Sequence, residues 1–552
     1  MKRIFMFIIS IIIMFTFNVS ALEYNVSNEE ELINALSNQS TNDTINLNDN
    51  IAINNNISIT GNVLINGNGY TISYGNAYSA KLFKVTGSLE LLNMKLNGNN
   101  NWNWKNEEDR FKTDVYGNET TLNIGDKIIN SNVFEVTGNL KLTNSTVHDY
   151  FFTGSDGDTN SFIKATGENS KVIIDNSVVD NLYGTFIYMT NGKVELNNNS
   201  KIINSYGLGN KGALLKMNGG ELLINNATLK DNCGMARSGS LIGAVNNSLI
   251  TFNNGLIDNN VAKYHGSNST GSMITLETGA GFVMNGGVIS NNVGTLSSVI
   301  ATRWTNNPDD RGVILNAGII KNNTATKNSW LYASVFVRSS LIIGKDMIIT
   351  GDVVVNNTNA TMENNGIIEG KVTLNDTTAK AVNNGIIKNV DVLKGEFINN
   401  NLIENAYELN TQIDNKGTIT KDYIKELSDV EGKVIVEFDL DDGKEKETGY
   451  TVLDKIYDLN YKFTLDDILE VEKEGYNFIG WFTDSEYKNK LEDEIELKEN
   501  IVIYAKWEKI PEVKVPDTYL SVNKILIILG SIFVILGSIL IYLIINNKTL
   551  EQ

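Results

Sequence analysis

Leu222-Leu223-Ile224-Asn225-Asn226-Ala227-Thr228-Leu229, running on into Lys230-Asp231-Asn232, is the stretch on which the fold turns. Leu222 and Ile224 alternate with a neutral residue, a polar Asn-rich step follows, and the next apolar residue stands five positions after Ile224. Alternation of this kind describes a short strand with one face turned inward. The same spelling recurs as Leu140-Leu142-Val147, Val172-Ile174-Val179, Ile250-Phe252-Ile257, Phe282-Met284-Ile289 and Val313-Leu315-Ile320, and with one extra residue as Val194-Leu196-Ile202. Asn/Asp-rich corners follow, at Asp180-Asn181, Asp231-Asn232, Asn259-Asn260, Asn291-Asn292 and Asn322-Asn323.

Copies about 22 to 32 residues apart fall in the range of solenoid repeats. No helical periodicity lies between them, which removes the α-solenoids, and the fixed leucine pattern of leucine-rich repeats is absent. The expectation is an all-β chain: a right-handed parallel β-helix solenoid, each repeat one coil. Asn suits the corners because it tolerates left-handed backbone angles, and stacked amides can hydrogen-bond from rung to rung. Glu29–Leu36 reads as a short amphipathic helix able to cap the open first coil. From Ile367 the coils shorten, at Gly366-Ile367-Ile368, Gly385-Ile386-Ile387 and Leu402-Ile403. About a dozen rungs ~4.8 Å apart would extend on the order of 60 Å. On this pattern, and on the opening Asp43–Ile72 and Lys81–Leu96, the first 400 or so residues resemble the pectin-lyase-like β-helix proteins of bacterial surfaces.

The repeat ends where Asn becomes sparse, which places a domain boundary near Lys425 and gives a β-helical ectodomain over 22–425. The module 426–508 is strongly acidic and carries most of the chain's net charge of −19. Its run Gly475–Tyr487 (GYNFIGWFTDSEY), then Asn500–Trp507 (NIVIYAKW), is similar to the InlB B-type, or Listeria–Bacteroides, repeat. Val434–Gly443 fits that repeat's first strand and turn, with Asp-Asp before Gly443 where the family often has Asn-Gly. The resemblance implies a small β-grasp-like module acting as a spacer, with Tyr476, Phe478, Trp481, Phe482, Tyr504 and Trp507 mostly in its core.

The two ends suggest export and retention. Lys2-Arg3, the apolar run Ile4–Phe17 and the small residues Val19-Ser20-Ala21 make residues 1–21 a candidate signal peptide. Residues 509–523 form a linker, and 524–545 an apolar stretch matching a ~30 Å hydrocarbon core, hence one C-terminal transmembrane helix. Residues 546–552 would be a cytoplasmic tail, with the bulk of the chain outside the cell. Val515-Pro516-Asp517-Thr518 resembles the sorting signals that sortases cleave, but Tyr519 replaces the glycine of that pattern and the tail holds one lysine. Retention by the helix, without a wall bond, is therefore expected.

The negative charge argues against nucleic acid as a partner. The single cysteine, Cys233, excludes an intrachain disulfide framework and any Cys-based zinc site. The largest interruption of the repeat, between Leu96 and Phe134, carries Trp102, Trp104, Arg110, Phe111 and Tyr116. Aromatics on a polar loop can stack on sugar rings, which makes Trp102, Trp104, Arg110 and Tyr116 the candidate binding residues. The other reading folds both tryptophans back onto the coil wall. Asp156 and Asp158 could bind calcium, although Asp-Gly-Asp lacks the rest of a calcium-loop pattern; no other cofactor is expected.

Enzymes share this fold, so their chemistry has to be sought at the residues. A lyase needs acidic calcium ligands beside a base, and a hydrolase needs paired carboxylates. His148, His265, Arg110, Arg237, Arg303, Arg311 and Arg338 are spread along the ectodomain. Asp180, Asp231 and Asp258 recur in phase at the corners, where Asn elsewhere takes equivalent places, so capping and corner hydrogen bonding are their expected role. No catalytic residues are assigned. The expected function is non-catalytic binding of a polysaccharide or of another cell's surface protein through the coil flank. A lyase or glycoside hydrolase with a divergent site, and a purely structural surface component, are the alternatives.

Overall fold

The computed structural model of the protein describes residues 22–37, 43–75, 82–111, 122–152, 160–209, 214–236, 241–263, 271–295, 297–303, 311–326, 333–406, 413–422, 433–441, 443–446, 455–468, 470–491 and 494–510. The chain divides into two compact units, one holding the coil together with 433–436, 455–461 and 497–500, the other the rest of the C-terminal module.

The coil is all-β, built on a 43-stranded sheet whose strands pair in parallel, an arrangement that fits a β-helix. Three ladders account for most of it, because a strand pairs with its counterpart one circuit earlier and one later. The repeat read from the sequence is the register of the first two. Leu140, Val172, Val194, Leu222, Ile250, Phe282 and Val313 are successive partners in the first ladder. Val147, Val179, Ile202, Leu229, Ile257, Ile289 and Ile320 are successive partners in the second. All are buried. A strand's side-chain period of two allows no slip here, since shifting one residue would turn the aliphatic row out to solvent.

The extra residue between Leu196 and Ile202 leaves this register intact. It is absorbed at the corner, where Asn198 and Asn199 take left-handed backbone angles in succession (φ 51 and 64). Among the described residues of the coil, every non-glycine residue with positive φ is Asn, except Asp149, Asp231 and Thr278. Asn pays less than other side chains for that conformation because its short amide bonds locally.

Amides also stack inside the wall. Asn232 Nδ2 donates to Asn260 Oδ1 (3.0 Å), Asn260 Nδ2 to Asn292 Oδ1 (2.8 Å) and Asn292 Nδ2 to Asn323 Oδ1 (2.9 Å). A second ladder joins Asn364, Asn383, Asn399 and Asn415 where the coils are shorter. A more exposed one runs Asn197, Asn225, Asn253, Asn285 and Asn316. Buried amides survive in an apolar interior only when both ends are bonded, and rung-to-rung stacking provides that.

At the start of the coil, the helix Glu29–Ser37 buries Leu32, Ala35 and Leu36 against the core. Its Glu29 carboxylate accepts the backbone N–H groups of Asn54 and Asn55. Burial would raise the Glu29 pKa, but these bonds hold it below the usual carboxylate value.

The module has its own aromatic core. Strand Tyr476–Phe482 pairs antiparallel with Ile501–Lys509, and Lys433–Asp439 pairs antiparallel with Lys455–Asp458. Phe438 packs against Phe463 and, edge-on, against Trp481. The turn expected at Gly443 is present: Asp441 is left-handed (φ 45) and Gly443 N–H donates to Leu440 O. Of the expected core set Trp481 and Phe482 are buried and Tyr476, Tyr504 and Trp507 half-buried, while Phe478 is 39% exposed. A register shift between Phe478 and Gly480 breaks the alternation there, and the ring lies edge-on to Trp481 and Trp507 at the surface.

Among the described residues no helix is long and apolar enough to cross a membrane. Residues 1–21 and 511–552, with the signal-like start, the sorting-like motif and the apolar stretch 524–545, lie outside the described residues.

Candidate functional site: the aromatic flap and the Asn/Asp corner

Beyond the second ladder the wall carries a short extra row. Phe151, Tyr183, Tyr206, Cys233, Val261 and Val293 are successive parallel partners. Their side chains form a hydrophobic cluster separate from the main core. The Phe151 and Tyr183 rings stack at 4.0 Å, and Tyr183 and Tyr206 at 5.1 Å. A row like this needs a cover, since exposed stacked rings would leave a large apolar patch in water.

The described part of the interruption after Leu96 supplies that cover, through Trp102, Trp104, Leu122 and Ile124. Trp102 is buried (1% exposed), edge-on to Phe151 and Tyr183. Its indole N–H donates to Asn181 O at 2.7 Å, and its backbone N–H to Asn100 Oδ1. Trp104 is half-buried against Tyr206, and the ammonium of Lys263 lies 5.6 Å from its ring centre. Asn103–Trp104 pairs antiparallel with Leu122–Asn123, and a 3-10 turn spans Glu107–Phe111.

Two buried cations fasten that turn to the wall. Lys263 Nζ donates to Asp109 O at 2.7 Å. Arg110 donates to Asn259 O and pairs with Asp231 at 3.5 Å. The Cys233 thiol faces Arg110 O at 3.7 Å, and burial pushes its pKa up to about 11.

The sequence candidates are thus distributed unevenly. The ring of Trp102 and the guanidinium of Arg110 serve as wall contacts, buried where the sequence reading held them open to ligand. The reason is that the ring row beneath offers more apolar area than solvent exposure would leave. Trp104 is only half-buried, and Phe111 is exposed (44%). Tyr116, Asp156, Asp158 and His265 lie outside the described residues. Lys263 carried no signal in the sequence beyond a lysine three residues after the Asn259-Asn260 corner.

The corner acids do not share one phase. Counted from the aligned Val179, Leu229 and Ile257, Asp180 and Asp258 come one step later, whereas Asp231 comes two steps later, at the left-handed position. The residues level with Asp180 and Asp258 on the two intervening coils are Ile203 and Lys230. Each carboxylate is hydrogen-bonded by an Asn one rung on: Asp180 by Asn204 (3.0 Å), Asp231 by Asn259 (2.7 Å), Asp258 by Asn291 (2.8 Å). Asp258 also accepts from Ser290 and pairs with Lys230 at 3.0 Å. Burial would raise its pKa, and these partners together hold it below the usual value. Asp149 is similar: partial burial opposes it, while His148 (2.7 Å) and Asn181 (2.8 Å) hold its pKa down.

Asp149 and Asp258, held below the usual carboxylate value, are ionised at neutral pH, so neither is poised as a proton donor. Among the described residues no three His, Cys, Asp or Glu groups converge as a metal site.

Comparison with known proteins adds one family. The Listeria-Bacteroides repeat domain matches residues 435–506, a repeat typical of bacterial surface proteins. No curated protein and no solved structure matches the chain.

Proposed function

We propose that this is a non-catalytic bacterial cell-surface protein that displays a right-handed, pectin-lyase-like coil for binding a polysaccharide. The carrying observation is that the corner carboxylates Asp149, Asp180, Asp231 and Asp258 are each bonded within the wall. That leaves the coil as a binding surface instead of a reaction vessel. The repeat module supports a surface location, and the apolar stretch 524–545 would retain the chain in the membrane, N-terminal side outward. On the flap, Trp102 serves as foundation while Trp104 is half-buried and Phe111 exposed.

The test has two arms. Cell fractionation of the full chain should place it in the membrane fraction, and deleting 524–545 should release it. A glycan array probed with the full chain should give a reproducible ligand class, weakened by Trp104→Ala and Phe111→Ala together. Release of unsaturated or reducing sugars from a uronate polymer would instead make it an enzyme.

A further inference from the structure

Two arginines stand on neighbouring coils at one position of the third ladder. Glu277 pairs in register with Arg303, and Ala301 with Phe336, each of these last two lying two residues before an arginine. Arg303 and Arg338 therefore follow one another along the wall, ~4.8 Å apart at the backbone. Glu277 lies 3.7 Å from Arg303 Nη1 and is nearly buried.

Arg338 is fixed through its backbone. Its N–H donates to Thr302 Oγ1 (2.6 Å) and its carbonyl accepts Asn357 Nδ2 (3.0 Å). The guanidinium itself lies 5.5 Å from the Phe336 ring centre and makes no ion pair among the described residues. Its Nε is buried without a hydrogen-bond partner, as is the hydroxyl of Ser339 beside it. Leaving a buried charged donor unpaired is costly, and placing a second cation one rung away adds repulsion. Arg110, whose Nε is likewise buried without a partner, still pairs its guanidinium with Asp231, and Lys230 pairs with Asp258.

We infer that Arg303 and Arg338 form an anion-binding site on the outer face of the third ladder, taking a carboxylate or sulfate group of an acidic saccharide. A guanidinium presents a planar fork of donors that matches such oxyanions two-to-two, and the aromatic Phe336 beneath holds that plane in place. The inference rests on the reading of the coil as a glycan-binding surface, and it names the class of glycan.

The experiment is titration of the full chain with a uronate oligosaccharide, a sulfated oligosaccharide and a neutral oligosaccharide of equal length. One or both acidic probes should bind, the preferred one telling carboxylate from sulfate, with affinity falling as salt rises. Arg338→Gln should weaken binding about tenfold or more, Arg338→Lys should restore part of it, and Arg311→Gln, at an exposed arginine, should change nothing. Should Arg338→Gln fail to fold, the native chain still decides. The acidic probe should then shield Arg338 from a guanidinium-modifying reagent, read by peptide mass spectrometry. Binding of the neutral probe alone, or acidic binding indifferent to Arg338, would overturn this site while leaving glycan binding intact. Failure of all three probes together with an empty glycan array would overturn both.

Discussion

Asn260 is fully buried, and its side chain makes four hydrogen bonds. Its Nδ2 donates to Leu229 O and Asn292 Oδ1, and its Oδ1 accepts both the backbone N–H and the Nδ2 of Asn232. Asn260→Ala removes all four and leaves two buried donors without the partner they had, the Asn232 amide N–H and one Asn232 side-chain proton. Each orphaned buried group costs about 1–3 kcal/mol, so the substitution should cost on the order of 3–5 kcal/mol. A coil of stacked repeats need not unfold in one step, so the assay is native-state hydrogen exchange by mass spectrometry. Amides around Asn232 should exchange at least about a hundredfold faster, tenfold for every 1.4 kcal/mol. Asn316→Ala removes a 2.7 Å bond at the exposed end of the outer ladder, where water replaces the lost partner, and should change exchange by less than about tenfold. Equal effects at the two sites would refute the claim that buried amide stacking, as opposed to general Asn content, holds the wall.

Trp102→Ala should leave a cavity under the flap costing about 3–5 kcal/mol, seen as new protease cleavage within 100–111 while the β circular dichroism of the coil persists. Acid should destabilise the coil. Asp149 and Asp258 have folded pKa values below their ordinary 3.8, so their contribution is full above that value and lost as pH falls through the folded values. Melting temperature should hold steady from neutral pH to about 5 and drop below about 4, with a shallower drop in Asp258→Asn. In the module, Phe463→Ala removes a fully buried ring from beside Phe438 and should cost about 3–5 kcal/mol. Near-ultraviolet signals of the module tryptophans should collapse while exchange protection in the coil is unchanged.

The sequence by itself determined the parallel coil, its register and its corners. That information is local: a period-two apolar pattern repeated at each circuit fixes which face of a strand is buried, and Asn at fixed offsets fixes where the backbone can turn left-handed. Even the irregular copy at Val194-Leu196-Ile202 was legible, because an extra residue can be taken up at a corner without moving the row. What only the tertiary structure decided was where the interrupting loop goes. Trp102 reads the same in sequence whether it faces solvent or a wall. The ring row that covers it comes from Phe151, Tyr183 and Tyr206, one residue from each of three coils, and only circuit-to-circuit stacking aligns them. Asp231 shows the same limit on a smaller scale: its offset from Asp180 and Asp258 is a single residue, visible once the apolar rows are paired. Arg303 and Arg338 are likewise neighbours through the coil and not along the chain.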